Sequence, residues 1–180
     1  MATSTENSSL PPKLPPLGFR WDTASGRGQS MTSSDQAPAG RFDGRAHRFA
    51  LRVYFEDTDL TGVVYHANYL RYMERARSDM LDCAGIDQRA VFEAGGGAYA
   101  VAGLDIRYRA PAKLGDTLVV VSKLTRLRAA GVTIQQRVMR DETIVAEATV
   151  EVAFVAPGGR PRRQPAEWLA AFEPLVWKES

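Results

Sequence analysis

The sequence of 180 residues has one cysteine, two histidines and almost no net charge, 23 Lys and Arg against 21 Asp and Glu. A single cysteine, Cys83, excludes an intramolecular disulfide framework and fits a reducing compartment. With only His47 and His66 as further soft ligands, no zinc-ligand spacing is present, and no metal is expected. No run approaches the roughly 18 to 20 apolar residues that cross a bilayer, and the N-terminus has no apolar signal core. Interspersed charges adding to +2 give little reason to expect nucleic acid as a partner. The expectation is a cytoplasmic protein without a membrane span. What remains is ordinary globular composition, 44% apolar and 9% aromatic, in a length suited to one domain with a tail.

Residues 1–46 contain 7 Ser, 4 Thr, 5 Pro and 5 Gly, so turn and linker types dominate and half of the prolines fall here. Such a segment buries too little apolar surface to offset its ordering entropy, which predicts a flexible extension. Pro11-Pro12 and Pro15-Pro16 are candidates for a short polyproline stretch, and Met31 for an alternative start. The folded domain is expected over 47–157, followed by a linker and short closing helix over 158–180, anchored by Trp168 and Leu169.

From His47 the pattern is that of an α+β domain. His47–Glu56 reads as a strand with Phe49, Leu51, Val53 and Phe55 on one face. A polar loop, Asp57-Thr58-Asp59-Leu60-Thr61-Gly62, interrupts it. Tyr69, Met73, Ala76, Met80 and Ala84 then recur at helical spacing, with Arg71, Glu74, Arg75, Arg77, Asp79 and Asp82 opposite, and Gly85 suits the helix end. Alternating or β-branched runs follow at Gly103–Arg109, Thr117–Arg128, Val132–Arg140 and Thr143–Val155. Their short connections favour an antiparallel meander, so one long helix is expected to pack on a curved antiparallel sheet of about five strands. Gly95-Gly96-Gly97 lacks the Lys-Ser/Thr of a phosphate-binding loop and reads as a connection.

The loop before the helix carries the candidate chemistry. A helix N-terminus offers free N–H groups and about half a positive charge, suited to a carbonyl oxygen that is becoming an anion. A carboxylate near that end can take a proton from water or attack the carbonyl. Asp59 is the candidate, with His66 beside it. The alternative is structural: Asp57 or Asp59 caps a turn or the helix, as Thr61 or Asn68 could, and His66 is hydrogen-bonded to a loop carbonyl.

Val53-Tyr54-Phe55-Glu56-Asp57-Thr58-Asp59, then Gly62 to Leu70, then Glu74-Arg75-Ala76-Arg77, resembles the hallmark segment of the YbgC-type acyl-CoA thioesterases, in the 4-hydroxybenzoyl-CoA thioesterase branch of the hotdog fold. Tyr108-Arg109-Ala110-Pro111-Ala112 resembles the family's second strand and its turn. The resemblance is specific over 50–85, weaker to about 156, and omits the tail. It implies an acyl-CoA thioesterase without a cofactor. By this resemblance Asp59 is nucleophile or general base, and the N–H at Tyr65-His66 polarises the carbonyl. The His66 side chain takes part, and Gly62 and Val63 lie against substrate. It also implies a homodimer with a continuous sheet and sites at the subunit interface, often paired into a homotetramer. Where many subgroup members carry a second tyrosine after Tyr54, this chain has Phe55. Arg126 and Arg128, beside the Ala129-Ala130-Gly131 turn, are candidates for the coenzyme A phosphates, whereas Arg160, Arg162 and Arg163 read as a solvated linker. Two other readings remain: a non-catalytic acyl-CoA-binding or scaffold protein of an envelope-associated complex, and a hotdog hydratase or dehydratase, whose His with Asp or Glu motif is absent.

Overall fold

The computed structural model describes residues 39–178. Six strands form one antiparallel sheet: β1 (Arg41–Asp43), β2 (Ala46–Arg52), β3 (Ala98–Tyr108), β4 (Thr117–Arg128), β5 (Gly131–Arg140) and β6 (Thr143–Val155), in the order β1-β2-β4-β5-β6-β3. The last three strands form the expected meander. The helices are α1 (His66–Cys83), α2 (Gln88–Glu93) and α3 (Ala166–Phe172).

The sheet has one strand more than the five expected, because it begins ahead of His47. Arg41–Asp43 pairs with Ala46–Arg48 through backbone hydrogen bonds, which need no apolar run, and Gly44 at φ +59° makes the turn. The proposed polyproline stretch and the alternative start lie outside the described residues. At the other end of this first hairpin, β2 stops at Arg52 and not Glu56. Phe55 leaves the strand face, begins a short 3-10 turn over Phe55–Asp57 and is 82% exposed.

The helical stripe buries as its spacing requires. Tyr69, Tyr72, Met73, Ala76 and Met80 are buried on α1, against Leu118, Val120 and Leu124 of β4 and Ile134 and Val138 of β5 in the same core. Burying each large apolar side chain is worth about 1.5–3 kcal/mol, so this one layer dominates the fold's stability. A polar seam crosses it. Buried Gln136 donates to the Met73 carbonyl at 3.0 Å and to the Ser122 hydroxyl at 2.9 Å, and accepts from Arg77 at 2.8 Å. Arg77, assigned by spacing to the solvent side, instead reaches under the helix to this acceptor.

The closing helix buries Trp168 and Phe172, with Leu169 half-buried, and Tyr99, Phe154 and Trp168 form an aromatic cluster with ring centroids 5.4–5.5 Å apart. Gly97 sits where β3 enters, at φ +125°, and a Cβ there would lie 2.3 Å from the Val155 carbonyl oxygen. The glycine run is thus a close backbone crossing as well as a connection.

His47 meets Asp79 and Cys83, one helical turn apart, where β2 crosses the end of α1. His47 is fully buried and its Nε2 lies 2.7 Å from the Asp79 carboxylate, which also accepts the Gly40 amide at 2.9 Å. Cys83 Sγ lies 3.5 Å from the Gly40 carbonyl oxygen. These contacts account for the grouping, and they tie the start of the sheet to the helix.

Candidate active site

The loop over 57–65 is closed at its base. Tyr65 N–H and Asn68 Nδ2 both donate to the Asp57 carbonyl at 2.9 Å, and Thr58 and Val64 form a bridge. The Asp57 carboxylate accepts the Tyr54 amide at 2.8 Å, so of the two loop acids this buried one has the structural role. Beyond it, Asp59 N–H donates to the Val63 carbonyl at 2.9 Å and Gly62 N–H to the Asp59 carbonyl at 3.0 Å. That tight turn needs φ +76° at Gly62, which a glycine adopts without strain.

The Asp59 carboxylate is exposed. Its Oδ1 accepts the Thr61 hydroxyl at 2.6 Å and the Thr61 amide at 2.8 Å, while Oδ2 has no partner among the described residues. These two Thr61 bonds, the hydroxyl first, hold the carboxyl below its usual range and so keep it ionised at neutral pH. Among the described residues it forms no ion pair with an arginine. Part of the structural alternative is therefore present, an Asx-type turn, yet one oxygen remains open.

Tyr65 caps α1 through its backbone alone, and no side chain caps the helix. The amides of His66 and Ala67, in the first turn, have no intrahelical acceptor, which leaves the positive end of the helix dipole available. Asp59, Val63, His66, Tyr69, Tyr108 and Arg109 line one cleft of about 420 Å³. The loop carboxylate and the helix start, linked in sequence only by proximity, thus face a common space.

The cleft's other wall is β3 and the turn after it. The Tyr108 hydroxyl donates to the His66 carbonyl at 3.2 Å, and the Tyr69 and Tyr108 rings lie 5.6 Å apart. Buried Tyr69 accepts the Ala112 amide at 3.1 Å, and Val64 N–H donates to the Ala112 carbonyl at 2.8 Å. Burial pushes the Tyr69 hydroxyl pKa up, so it stays protonated. Beneath the site, the buried Tyr72 hydroxyl has no well-aligned partner among the described residues, and burial, reinforced by the nearby Asp57 carboxylate, raises its pKa strongly.

The expected site residues are thus brought together only in part. Asp59, Val63 and His66 share the cleft; Gly62 shapes the turn without lining it, and Tyr65 lies outside with its ring 4.3 Å from that of His66. Arg126 and Arg128 lie elsewhere, at the far end of β4. Tyr108 pairs with Ala146 on β6 and Gly131 with Ala153, so the arginine turn and the cleft are separated by seven residues of β6, about 23 Å within this chain. The cation at the cleft is Arg109, hydrogen-bonded to Glu147 at 2.6 and 3.0 Å, which lowers the Glu147 pKa. Sequence reasoning missed Tyr69, Tyr108 and Arg109 as site residues because Tyr69 matched the helix stripe and Tyr108 a strand face. Only their tie to the Ala110-Pro111-Ala112 turn marks them.

A family model described as the thioesterase-like superfamily matches residues 53–173. The chain belongs to that superfamily. The match takes in the loop, α1 and the whole meander. The chain is 41% identical over 128 residues to the acyl-CoA thioesterase YbgC of Haemophilus influenzae, covering 71% of this chain and 94% of that protein. It is 39% identical over 128 residues to the acyl-CoA thioester hydrolase YbgC of Escherichia coli O157:H7, covering 70% and 95%. Among solved structures, a probable thioesterase from Bartonella henselae superposes with a TM-score of 0.63 at 35% identity, over 67% of this chain and 99% of that one. The helix packed on an antiparallel sheet is the hotdog fold, as the resemblance implied.

Proposed function

We propose that this chain is an acyl-CoA thioesterase, hydrolysing the thioester to free acid and coenzyme A, with Asp59 as the reacting carboxylate. The observation that carries the reading is the shared cleft: an ionised carboxylate with one open oxygen and the first turn of α1, which has no side-chain cap, border the same space. Relatives at about 40% identity described as acyl-CoA thioesterases support the substrate class.

The chemistry needs little more. A thiolate leaves with a pKa near 8.5, so no strong general acid is required. As general base, Asp59 takes a proton from water, the hydroxide adds to the carbonyl carbon, and collapse of the tetrahedral intermediate breaks the C–S bond. As nucleophile, it adds directly, expels the thiolate and leaves an acyl anhydride that water cleaves. In both routes the oxygen gaining charge is met by the His66 amide, and an oriented donor of this kind is worth about 3 kcal/mol. General base catalysis contributes on the order of 10²- to 10⁴-fold. Neither route calls for a cofactor.

The working form is proposed to be a homo-oligomer built on β3. That strand is an edge of the sheet and carries exposed Val101, Leu104 and Tyr108, an apolar edge of the kind that pairs. Antiparallel pairing of two β3 strands reverses their ends, which brings the partner's arginine turn to the end where this subunit has its cleft. Arg126 and Arg128 would then serve the coenzyme A phosphates of the opposite site. A thiol-release assay over acetyl, medium-chain, long-chain and aromatic acyl-CoA substrates tests the activity: release with at least one class supports it, and ligand binding without release from any class overturns it.

A further inference from the structure

Asn68 lies in the first turn of α1, where an asparagine side chain is free to point into solvent. Here it is 5% exposed, and its Nδ2 donates to the Asp57 carbonyl at 2.9 Å. The orientation of the amide is fixed by chemistry, since a carbonyl oxygen can only accept and the amide nitrogen is the side chain's only donor. The Asp57 carbonyl is two residues ahead of Asp59 and is the point where the 57–65 loop returns to the helix, through the Tyr65 amide.

Resting on the thioesterase reading above, we propose that Asn68 is a positioning residue: its side chain fixes the base of the loop to α1 and so sets the distance from the Asp59 carboxylate to the helix's first amides. The rest of the loop is held to itself. Asp59 bonds to Val63 and Thr61, and Gly62 to Asp59, so this turn moves as a unit. Its anchors outside itself are the Tyr65 and Asn68 bonds to the Asp57 carbonyl, the bonds of Asp57 to Tyr54 and of Thr58 to Phe55 in the short 3-10 turn just before it, Val64 N–H on the Ala112 carbonyl, and the Val63–Lys113 bridge. Of these, only Asn68 joins the acid-bearing side of the loop to the helix by a side chain. Its loss leaves the turn intact and its placement loose. Because a misplacement of about 1 Å costs on the order of 10²-fold in rate, the effect falls on kcat and not on KM.

The test compares wild type, Asn68→Ala and Asn68→Asp on one acyl-CoA substrate, with kcat and KM read separately across pH and folding checked by thermal melt. Asn68→Ala is expected to lower kcat about 10- to 100-fold with KM unchanged. In Asn68→Asp an ionised carboxylate faces a carbonyl oxygen and repels it, but once protonated it donates again. Burial raises such a carboxyl above its reference of about 3.9, so kcat relative to wild type climbs as pH falls, whereas the Asn68→Ala ratio stays constant. The titratable and charged groups already there, Asp57, Asp59, Tyr65, His66, Tyr72 and Arg75, are present in all three proteins, and the Asn68→Ala profile supplies the baseline against which the added carboxyl is read. If Asn68→Asp does not fold, Asn68→Ser carries the kcat-against-KM test, its hydroxyl being too short to span the gap. Wild-type kcat in Asn68→Ala or Asn68→Ser, or a pH-independent ratio for Asn68→Asp, overturns the proposal. With Asp59→Asn inactive, those outcomes remove Asn68 alone; an active Asp59→Asn removes the site reading and this inference with it.

Discussion

Tyr69 and Ala112 are joined across the floor of the cleft, the buried tyrosine hydroxyl accepting the amide of a fully buried alanine at 3.1 Å. Removing that oxygen takes away the acceptor of a buried N–H. Tyr69→Phe is expected to destabilise the fold by about 1–3 kcal/mol, read as a lower urea midpoint with an unchanged slope. An unshifted midpoint would show that this bond has no net worth.

His47 gives stability a pH dependence of defined sign. Burial lowers its pKa more than the Asp79 contact raises it, so near neutrality the pair is a neutral imidazole N–H on a carboxylate and not an ion pair. The unfolded chain therefore binds a proton below about pH 6.5 that the folded chain resists. The contribution is fully present above pH 6.5 and is lost as pH falls toward the lowered folded value, at up to about 1.4 kcal/mol per unit. Urea midpoints followed from pH 7.5 to 5 should show this slope in wild type, and His47→Gln should flatten it.

If Arg126 and Arg128 hold the coenzyme A phosphates, as proposed, they should separate two kinds of substrate. Arg126→Ala with Arg128→Ala is expected to raise KM for acyl-CoA, more at low salt than at high, and to leave kcat in place. The same acyl group on pantetheine lacks the nucleotide phosphates and should show no change. Equal effects on both substrates would exclude a phosphate role.

Pairing through β3 is tested by Leu104→Glu. A charge on this exposed edge costs the monomer little but is unfavourable in an apolar interface. Sedimentation should give a monomer with a normal melt and weak hydrolysis. A variant that sediments like wild type would remove this edge as the interface.

Much of this was legible in the sequence for local reasons. The α1 stripe and the three meander strands are long enough for their period to declare itself, and the segment from Val53 to Leu70 carries a family resemblance in its own letters. What escaped were features made by distance or by backbone. β1 is three residues joined by hydrogen bonds that any side chains allow, and α2 has six residues with none buried. Asp57 and Asp59 are two residues apart and alike in composition. Only the fold makes one a buried cap and the other an open carboxylate. Arg109 replaced Arg126 and Arg128 as the cation at the cleft because strand register sets which end of β6 meets the loop.

The most direct measurement is hydrolysis by Asp59→Asn. The amide oxygen can still accept from Thr61, so the loop turn and the melting temperature should be preserved while thioester hydrolysis falls by at least 10²-fold. A folded Asp59→Asn protein that releases coenzyme A at the wild-type rate would contradict the assignment of the reacting group.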